Sequence, residues 1–141
     1  MPSTFSIQRR VEFSETDMAG IVHYSNYFRY MESCEQAFFR SMGTSVVDSN
    51  HRVGWPRVHA SCDFKKPLQF EDEVEVTLHV TEKKQKSLSY QFTFKKSGEV
   101  IARGRITAVC VTRDEQGRMK SIDIPAAIAN QIETTSLETL P

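Results

Sequence analysis

Residues 23–42 read HYSNYFRYMESCEQAFFRSM, and this stretch predicts one long helix. Large apolar side chains recur in it at helical spacing, and Gly43 follows at a position typical of a helix end. The main apolar stripe consists of Tyr27, Met31, Cys34, Phe38 and Met42, and it is widened by Phe28, Tyr30, Ala37 and Phe39. A stripe of this width predicts a central helix that is buried on most of its circumference.

Around this helix, polar and apolar residues alternate in the way that is typical of half-buried strands. One such segment precedes the helix, at residues 6–13, and four follow it, at 58–65, 73–80, 88–95 and 100–112. Gly104, inside the last of them, is predicted to mark a bulge where another backbone comes close. An apolar helix followed by strands with one apolar face predicts an α+β fold, in which a curved antiparallel sheet of about five strands wraps around the helix.

Length and charge limit the classes of function. The 141 residues predict a single domain, 1–141, with a mobile tail from about residue 134 and a short helix after Pro125. Lys plus Arg and Asp plus Glu balance at 18 each, so no overall field attracts nucleic acid or an anionic membrane. No apolar run approaches the roughly 18 residues of a membrane span, and the start of the chain does not resemble a secretory signal.

The cysteine and histidine residues indicate neither a disulfide framework nor a metal site. Cys34, Cys62 and Cys110 are far apart and form no C-x-x-C pair, which predicts buried thiols and a cytoplasmic location. Three histidines have no Cys or carboxylate partner at ligand spacing, namely His51, His59 and His79. They are therefore expected in loops or on the outer sheet face.

The loop before the helix carries the chemistry. Asp17 stands in a Gly-containing loop, seven residues before Tyr24 at the predicted helix start. Free backbone N–H groups at a helix N-terminus carry partial positive charge and can stabilise an oxyanion. A carboxylate beside such donors is suited to attack on a carbonyl. Alternatively, Asp17 simply caps a turn or the helix.

A family resemblance rests on the same residues. VEFSETDMAGIV at residues 11–22, followed by Tyr24-x-Asn26-Tyr27-Phe28-Arg29-Tyr30-Met31-Glu32, resembles the 4-hydroxybenzoyl-CoA thioesterase family of hotdog-fold proteins. The resemblance implies an enzyme that hydrolyses an acyl-CoA, aromatic or of short to medium chain, without metal or organic cofactor. It implies a homodimer joined edge to edge through its sheets, often paired again into a homotetramer, with the site at the dimer interface.

The resemblance also implies roles for individual residues. Asp17 would be the nucleophile or general base, and the N–H of Tyr24 would polarise the thioester carbonyl. Many relatives have Tyr-His where this chain has His23-Tyr24, so His23 is expected to line the pocket or to form a hydrogen bond. The alternative is that it acts as a general base. Asn26 is expected either to hold the Asp17 loop or to act as an ordinary helix cap. Tyr27 is expected in the core or in the pocket wall.

Two further groups of polar residues have alternative interpretations. Glu32 either faces a polar acyl group or is a solvated surface charge. The cation clusters Lys65-Lys66 and Lys83-Lys84-Gln85-Lys86 either bind the CoA phosphates or are solvated strand ends. The chain contains no G-x-S-x-G serine elbow and none of the usual nucleotide loops. The alternative functions are a hotdog hydratase or dehydratase, and a non-catalytic module that binds acyl-CoA or an acyl carrier protein.

Overall fold

The structure is a computed structural model, and it describes residues 3–47 and 52–141. His51, expected in a loop, lies outside these residues. The strands are β1 (Thr4–Arg10), β2 (Arg57–Phe64), β3 (Glu73–Lys83), β4 (Ser87–Lys96), β5 (Glu99–Val109), β6 (Val111–Arg113) and β7 (Met119–Ser121). The helices are α1 (Ser25–Ser41) and α2 (Ala126–Ala129), and short 3₁₀ turns cover Phe13–Glu15 and Leu137–Thr139.

Five strands form one antiparallel sheet in the order β1-β3-β4-β5-β2, and β6 and β7 form a separate hairpin. Matched apolar pairs along β3 and β4, such as Val76 opposite Phe94 and Leu78 opposite Phe92, fix the register because a shift by one residue would expose them. The predicted α+β architecture is confirmed: a five-stranded sheet packs on one long helix.

One face of α1 forms the centre of the core. Its buried side chains include Tyr27, Tyr30, Met31, Cys34, Phe38 and Phe39. The Cys34 thiol lies 3.6 Å from the carbonyl oxygen of Phe5 and 3.5 Å from that of Val76, so the helix touches the two strands of one sheet edge. The opposite face is exposed at Arg29, Glu32 and Arg40. The prediction that α1 is buried on most of its circumference agrees with the structure, because most of its 17 residues are buried or half-buried.

The strands at the sheet edges differ from their predicted form. The first strand was predicted to extend to residue 13, but β1 ends at Arg10, and Phe13 lies in a 3₁₀ turn and is 74% exposed. β2 was predicted to have a buried face, but Val58 is 65% exposed and Phe64 is 49% exposed. The reason is that β2 is an edge strand, hydrogen-bonded to β5 alone in this sheet.

The long strand predicted at residues 100–112 is interrupted. β5 ends at Val109 and β6 begins at Val111. The Cys110 N–H donates to the carbonyl of Lys86, and the Cys110 carbonyl accepts from the Ile122 N–H, so this residue leaves the ladder of β5.

The C-terminal segment lies against the outer face of the sheet. The Thr135 N–H donates to the Val80 carbonyl at 2.7 Å, and Arg103 Nε donates to the Pro141 carbonyl at 2.9 Å. His79, on that face, is only 7% exposed, and burial lowers its pKa. His79 thus lies on the outer sheet face as predicted, but it is buried there, whereas His59 is exposed. Mobility of the tail from residue 134 stays a prediction.

The close approach expected at Gly104 exists, but the approaching group is a side chain. Gly104 pairs regularly with Phe92 and Cys62, so no bulge occurs at this residue. Instead, the end of Met31 from α1 fills the space above the glycine.

Gly104→Ala is expected to lower the free energy of unfolding by about 1–3 kcal/mol, the usual cost of overpacking a core. Its Cβ would lie 2.2 Å from Met31 Cε and 2.6 Å from Met31 Sδ. Gly54→Ala is the control, because the nearest atom to its Cβ is 3.5 Å away. Urea-induced unfolding measures both variants, and equal losses of stability would contradict the packing of Met31 on Gly104.

Candidate functional site

A closed turn positions the Asp17 carboxylate. The Asp17 carbonyl accepts from the Gly20 N–H at 3.0 Å, and the Asp17 N–H donates to the Ile21 carbonyl at 2.9 Å. Gly20 has a backbone φ of +80°, a conformation that residues other than glycine rarely adopt. Asp17 Oδ1 accepts from the Ala19 N–H at 2.8 Å, so one carboxylate oxygen does cap the turn. The side chain as a whole is exposed.

The start of α1 leaves one backbone donor available. The His23 N–H donates to the Glu15 carbonyl, the Asn26 N–H to the His23 carbonyl and the Tyr27 N–H to the Tyr24 carbonyl. Among residues 3–47 and 52–141, no hydrogen bond from the Tyr24 N–H is found. This N–H, one residue before the first helical residue, is therefore free to meet a ligand oxygen.

His23 acts on the helix start through its ring. His23 Nδ1 lies 2.8 Å from Ser25 Oγ and accepts a longer hydrogen bond, 3.3 Å, from the Ser25 N–H. The ring stacks on Tyr24 with a centroid distance of 4.5 Å, and both residues are exposed. A ring held in this way orients the exposed face of Tyr24.

Glu15 connects the loop to the helix, and the sequence interpretation missed it. Its Oε1 accepts from the Glu12 N–H and from the Tyr30 hydroxyl, both at 2.8 Å, and its Oε2 accepts from Arg9 at 3.1 Å. The Glu15 carbonyl accepts from Asn26 Nδ2 at 2.9 Å. The expected loop-holding role of Asn26 thus agrees with this contact. A carboxylate in a loop gives no sequence signal for such long-range partners.

Asp17 and Tyr24 line the same cavity, which has a volume of about 390 Å³. The cavity is also lined by Ile21, Val22, Tyr27, Phe64, Lys65, Lys66 and Pro67. Tyr27 is both core and wall: it is 3% exposed, and burial raises its pKa to about 12, so the hydroxyl stays protonated. An aromatic wall, a carboxylate and two cations therefore surround one space, and Tyr24, the residue that carries the free N–H, also lines it.

The cation clusters have different surroundings. Lys65 and Lys66 are exposed at the Asp17 cavity, and Lys66 Nζ also donates to Glu99 at 2.8 Å. Lys83 lies elsewhere and donates to the carbonyls of Ala129 and Ile132. The structure therefore brings only the first cluster to the site.

A second cavity, of about 260 Å³, lies between α1 and β2. Its lining is mostly apolar, but it includes Glu32, Glu35 and Arg57. Glu32, predicted near the acyl group, is exposed and lines this cavity, not the one with Asp17. Glu35 is 2% exposed and makes a two-point ion pair with Arg57. Burial raises the pKa of Glu35, and Arg57 acts in the opposite direction.

The cysteine thiols are protonated, and no group of metal-ligating side chains is found in the described part of the chain. Burial raises the pKa of Cys34 and of Cys62 to about 12, and that of Cys110 to about 11, so these groups are thiols at neutral pH. Cys34 and Cys110 are buried as predicted, whereas Cys62 is only half-buried. Within residues 3–47 and 52–141, no three His, Cys, Asp or Glu side chains are grouped to hold a metal ion. No helix there has the length and hydropathy to cross a membrane.

Comparison with known proteins identifies a family model and several relatives that match most of this chain. A model of the Thioesterase-like superfamily matches residues 11–132. A protein of Aquifex aeolicus, provisionally named an esterase, is 36% identical over 121 residues, covering 84% of this chain and 91% of that protein. A 1,4-dihydroxy-2-naphthoyl-CoA hydrolase of Nostoc punctiforme is 30% identical over 140 residues, covering 93% and 88%. The solved structure of a gentisyl-coenzyme A thioesterase is 32% identical, with a TM-score of 0.78 and coverage of 87% and 98%.

Glu15→Ala is expected to lower the free energy of unfolding by roughly 1.5–3 kcal/mol, because it removes hydrogen bonds to a charged group. It is also expected to accelerate amide hydrogen exchange at His23 and Asn26, because Glu15 holds the start of α1. The acceleration at these two residues is expected to exceed that in β4. Glu115→Ala, at an exposed turn, is the control. Hydrogen exchange measured by NMR gives the local effect, and unchanged exchange at the helix start would contradict the proposed connection.

Proposed function

The chain belongs to the Thioesterase-like superfamily and is a thioesterase with a hotdog fold, and on that premise we propose that it hydrolyses an acyl-CoA to a free acid and CoA. The observation that carries this proposal is the shared cavity of Asp17 and Tyr24. A carboxylate and an unpaired backbone N–H at a helix start are the groups that attack on a thioester carbonyl requires.

The carbonyl oxygen of the thioester accepts the Tyr24 N–H in the proposed complex. Negative charge develops on that oxygen in the transition state, where a fixed donor stabilises it more than water does. The partial positive charge of the α1 N-terminus acts in the same direction. The donor is a main-chain group, so replacement of the Tyr24 side chain is expected to reduce activity less than loss of Asp17.

Asp17 acts either as a general base or as a nucleophile. As general base, it takes a proton from water while the water oxygen bonds to the carbonyl carbon, and the C–S bond then breaks with return of a proton to sulfur. As nucleophile, its oxygen bonds to the carbonyl carbon, the CoA thiolate leaves, and water cleaves the resulting anhydride. Asp17 Oδ2 makes no hydrogen bond found among the described residues, so it is available for either route. Neither route requires a metal or an organic cofactor.

The neighbouring residues have binding roles in this proposal. Tyr27 forms the wall beside the reacting carbonyl. His23 does not line the cavity itself, but it orients the stacked ring of Tyr24, which does. Asn26 holds the catalytic loop through the Glu15 carbonyl. Lys65 and Lys66 attract the phosphates of CoA by their charge. Free, widely spaced thiols support a reducing compartment, so the proposed location is the cytoplasm.

The proposed functional unit is a homodimer joined at β2. This strand is a sheet edge with exposed apolar side chains, a combination that favours pairing with a second copy. Joining two such edges would also cover the cavities that lie beside β2, and water would be excluded from the reacting groups. Assembly of two dimers into a homotetramer is a separate prediction, which rests on the family resemblance.

Asp17→Asn is expected to lower kcat for thiol release from acyl-CoA by at least about 10²-fold, because the amide neither accepts the proton nor attacks the carbonyl. KM is expected to change little, since the side chain keeps its size and its hydrogen bond to Ala19. A thiol-detecting assay over aromatic and aliphatic CoA esters measures both constants.

Asp123→Asn is the matched control, because this carboxylate is also exposed in a loop and accepts one hydrogen bond, from Gln85. It is expected to keep normal activity. Full thiol release by Asp17→Asn would contradict the catalytic role of Asp17. If the unaltered protein bound acyl-CoA but released no thiol from any ester, a binding module would be the better explanation.

Val58→Lys is expected to shift the protein toward monomer and to lower its activity, because it places a charge on the exposed apolar side of β2. Val47→Lys is the control, since Val47 is also exposed, at 52%, but lies in a loop. Sedimentation velocity measures the association state. A dimer that persists unchanged after Val58→Lys would show that β2 is not the interface.

A further inference from the structure

The peptide unit between His23 and Tyr24 carries the free N–H of the site. Its carbonyl oxygen accepts from the Asn26 N–H at 2.9 Å, and its own N–H meets no partner among residues 3–47 and 52–141. A hydrogen bond accepted at the carbonyl end of a peptide polarises the unit, so its N–H becomes a stronger donor. The orientation of this one peptide therefore decides how well a substrate oxygen is bound.

The residue directly before α1 does not cap the helix with its own side chain. Tyr24 occupies this position with φ −55° and ψ −31°, and its side chain makes no capping hydrogen bond. The usual caps are serine, threonine, aspartate and asparagine, because their short side chains place an oxygen beside the free N–H groups of the first turn. A phenol oxygen lies too far from the backbone for this role, so another group has to accept there.

The ring of His23 supplies the acceptor. Its Nδ1 accepts from the Ser25 N–H at 3.3 Å and lies 2.8 Å from Ser25 Oγ. A side-chain acceptor bonded to the N–H two residues later is the geometry of an Asx turn, in which aspartate or asparagine normally accepts. The bond from the Asn26 N–H closes a second ring around the same peptide. Rotation of the peptide that carries the Tyr24 N–H would break both hydrogen bonds.

These contacts also assign the proton of the imidazole ring. A backbone N–H only donates, so Nδ1 accepts from Ser25 with a free lone pair and carries no proton itself. The proton of the neutral ring is therefore on Nε2, and that nitrogen is a donor. A ring in this tautomer does not take a proton from water at Nε2. The general-base alternative for His23 does not fit this arrangement.

Stacking alone does not account for a histidine at this position. The rings of His23 and Tyr24 have centroids 4.5 Å apart and planes inclined by 28°, and both residues are exposed. A phenylalanine ring would stack on Tyr24 in the same way. The feature that only the histidine ring provides is an acceptor nitrogen beside the backbone N–H of Ser25.

We infer that His23 is a positioning residue, whose Nδ1 caps the Ser25 N–H and thereby holds the Tyr24 N–H in the direction of the thioester oxygen. The ring itself does not touch the reacting atoms. This inference rests on the proposed function, in which the Tyr24 N–H stabilises the oxyanion. It assigns the imidazole a task that a side-chain amide can also perform and that a hydrocarbon ring cannot.

Two replacements separate the acceptor from the stacked ring. His23→Phe keeps a ring and loses the acceptor, and it is expected to lower kcat for thiol release by about 5–30-fold, which corresponds to the usual cost of a lost helix cap. KM is expected to change less than kcat, because the N–H binds the oxyanion more strongly than the ground-state carbonyl. His23→Asn keeps an acceptor without the ring and is expected to retain most of kcat.

His59→Phe is the matched control. His59 is also exposed, and its Nε2 lies 3.1 Å from the Oγ of Ser61, the serine two residues later. It does not line the cavity that holds Asp17, so this variant is expected to keep normal kcat and KM. If His23→Asn lost as much kcat as His23→Phe, the imidazole itself would be required and the capping role would be overturned.

The ring nitrogens give a test that does not depend on activity. ¹⁵N NMR of the unaltered protein with labelled histidine distinguishes a ring nitrogen that carries a proton from one that does not, at about pH 8, where an ordinary histidine is neutral. The expected result is an unprotonated Nδ1 and a protonated Nε2 for His23, with slower amide exchange at Ser25 than in His23→Phe. A proton on Nδ1 would overturn the inference, because the Ser25 N–H would then have no acceptor.

The outcomes separate this inference from the proposed function. Thiol release with the same kcat in His23→Phe and in the unaltered protein would overturn the role of His23 and leave the thioesterase proposal intact. No thiol release from any ester by the unaltered protein would contradict the proposed function and, with it, the positioning role.

Discussion

Packing of α1 on the inner face of the sheet is the constraint on which the rest of the structure depends. Met31 fits against Gly104 because that strand position has no side chain, and the Cys34 thiol touches the carbonyl of Val76. These contacts fix how far the helix lies from the strands and where its first turn ends. The site follows from this, because Tyr24 directly precedes α1, and Phe64 ends β2, the strand that pairs with β5 beneath Met31.

A second connection fixes the catalytic loop to that helix start. Glu15 joins Arg9 on β1 to Tyr30 on α1, and its carbonyl receives both the Asn26 side chain and the His23 N–H. The turn that carries Asp17 begins two residues later in the chain. Since the loop is anchored at its base, the carboxylate stays at the cavity although the side chain itself is exposed. Prearranged groups of this kind need little reorganisation during the reaction.

Local periodicity predicted the elements well, and long-range contacts set what it missed. The spacing of Tyr27, Met31 and Phe38 indicated the helix, and alternation indicated all five strands of the sheet. Alternation alone does not identify an edge strand, so the exposure of β2 was missed. Glu35 is a charged residue that lies four residues after Met31 on the buried side of α1, and apolar periodicity does not predict the burial of a charged residue. Its partner Arg57 is remote in sequence, so neither residue signals the pair by itself.

The most direct test of the account is the polarisation of the bound thioester carbonyl. Isotope-edited infrared spectroscopy of a ¹³C-carbonyl acyl-CoA, bound to the Asp17→Asn protein so that it is not consumed, reports the hydrogen bonding of that group alone. The account predicts a stretching frequency clearly below that of the same ester in water, because the Tyr24 N–H and the start of α1 withdraw electrons from the C=O bond. A bound ester with the frequency found in water would contradict the account.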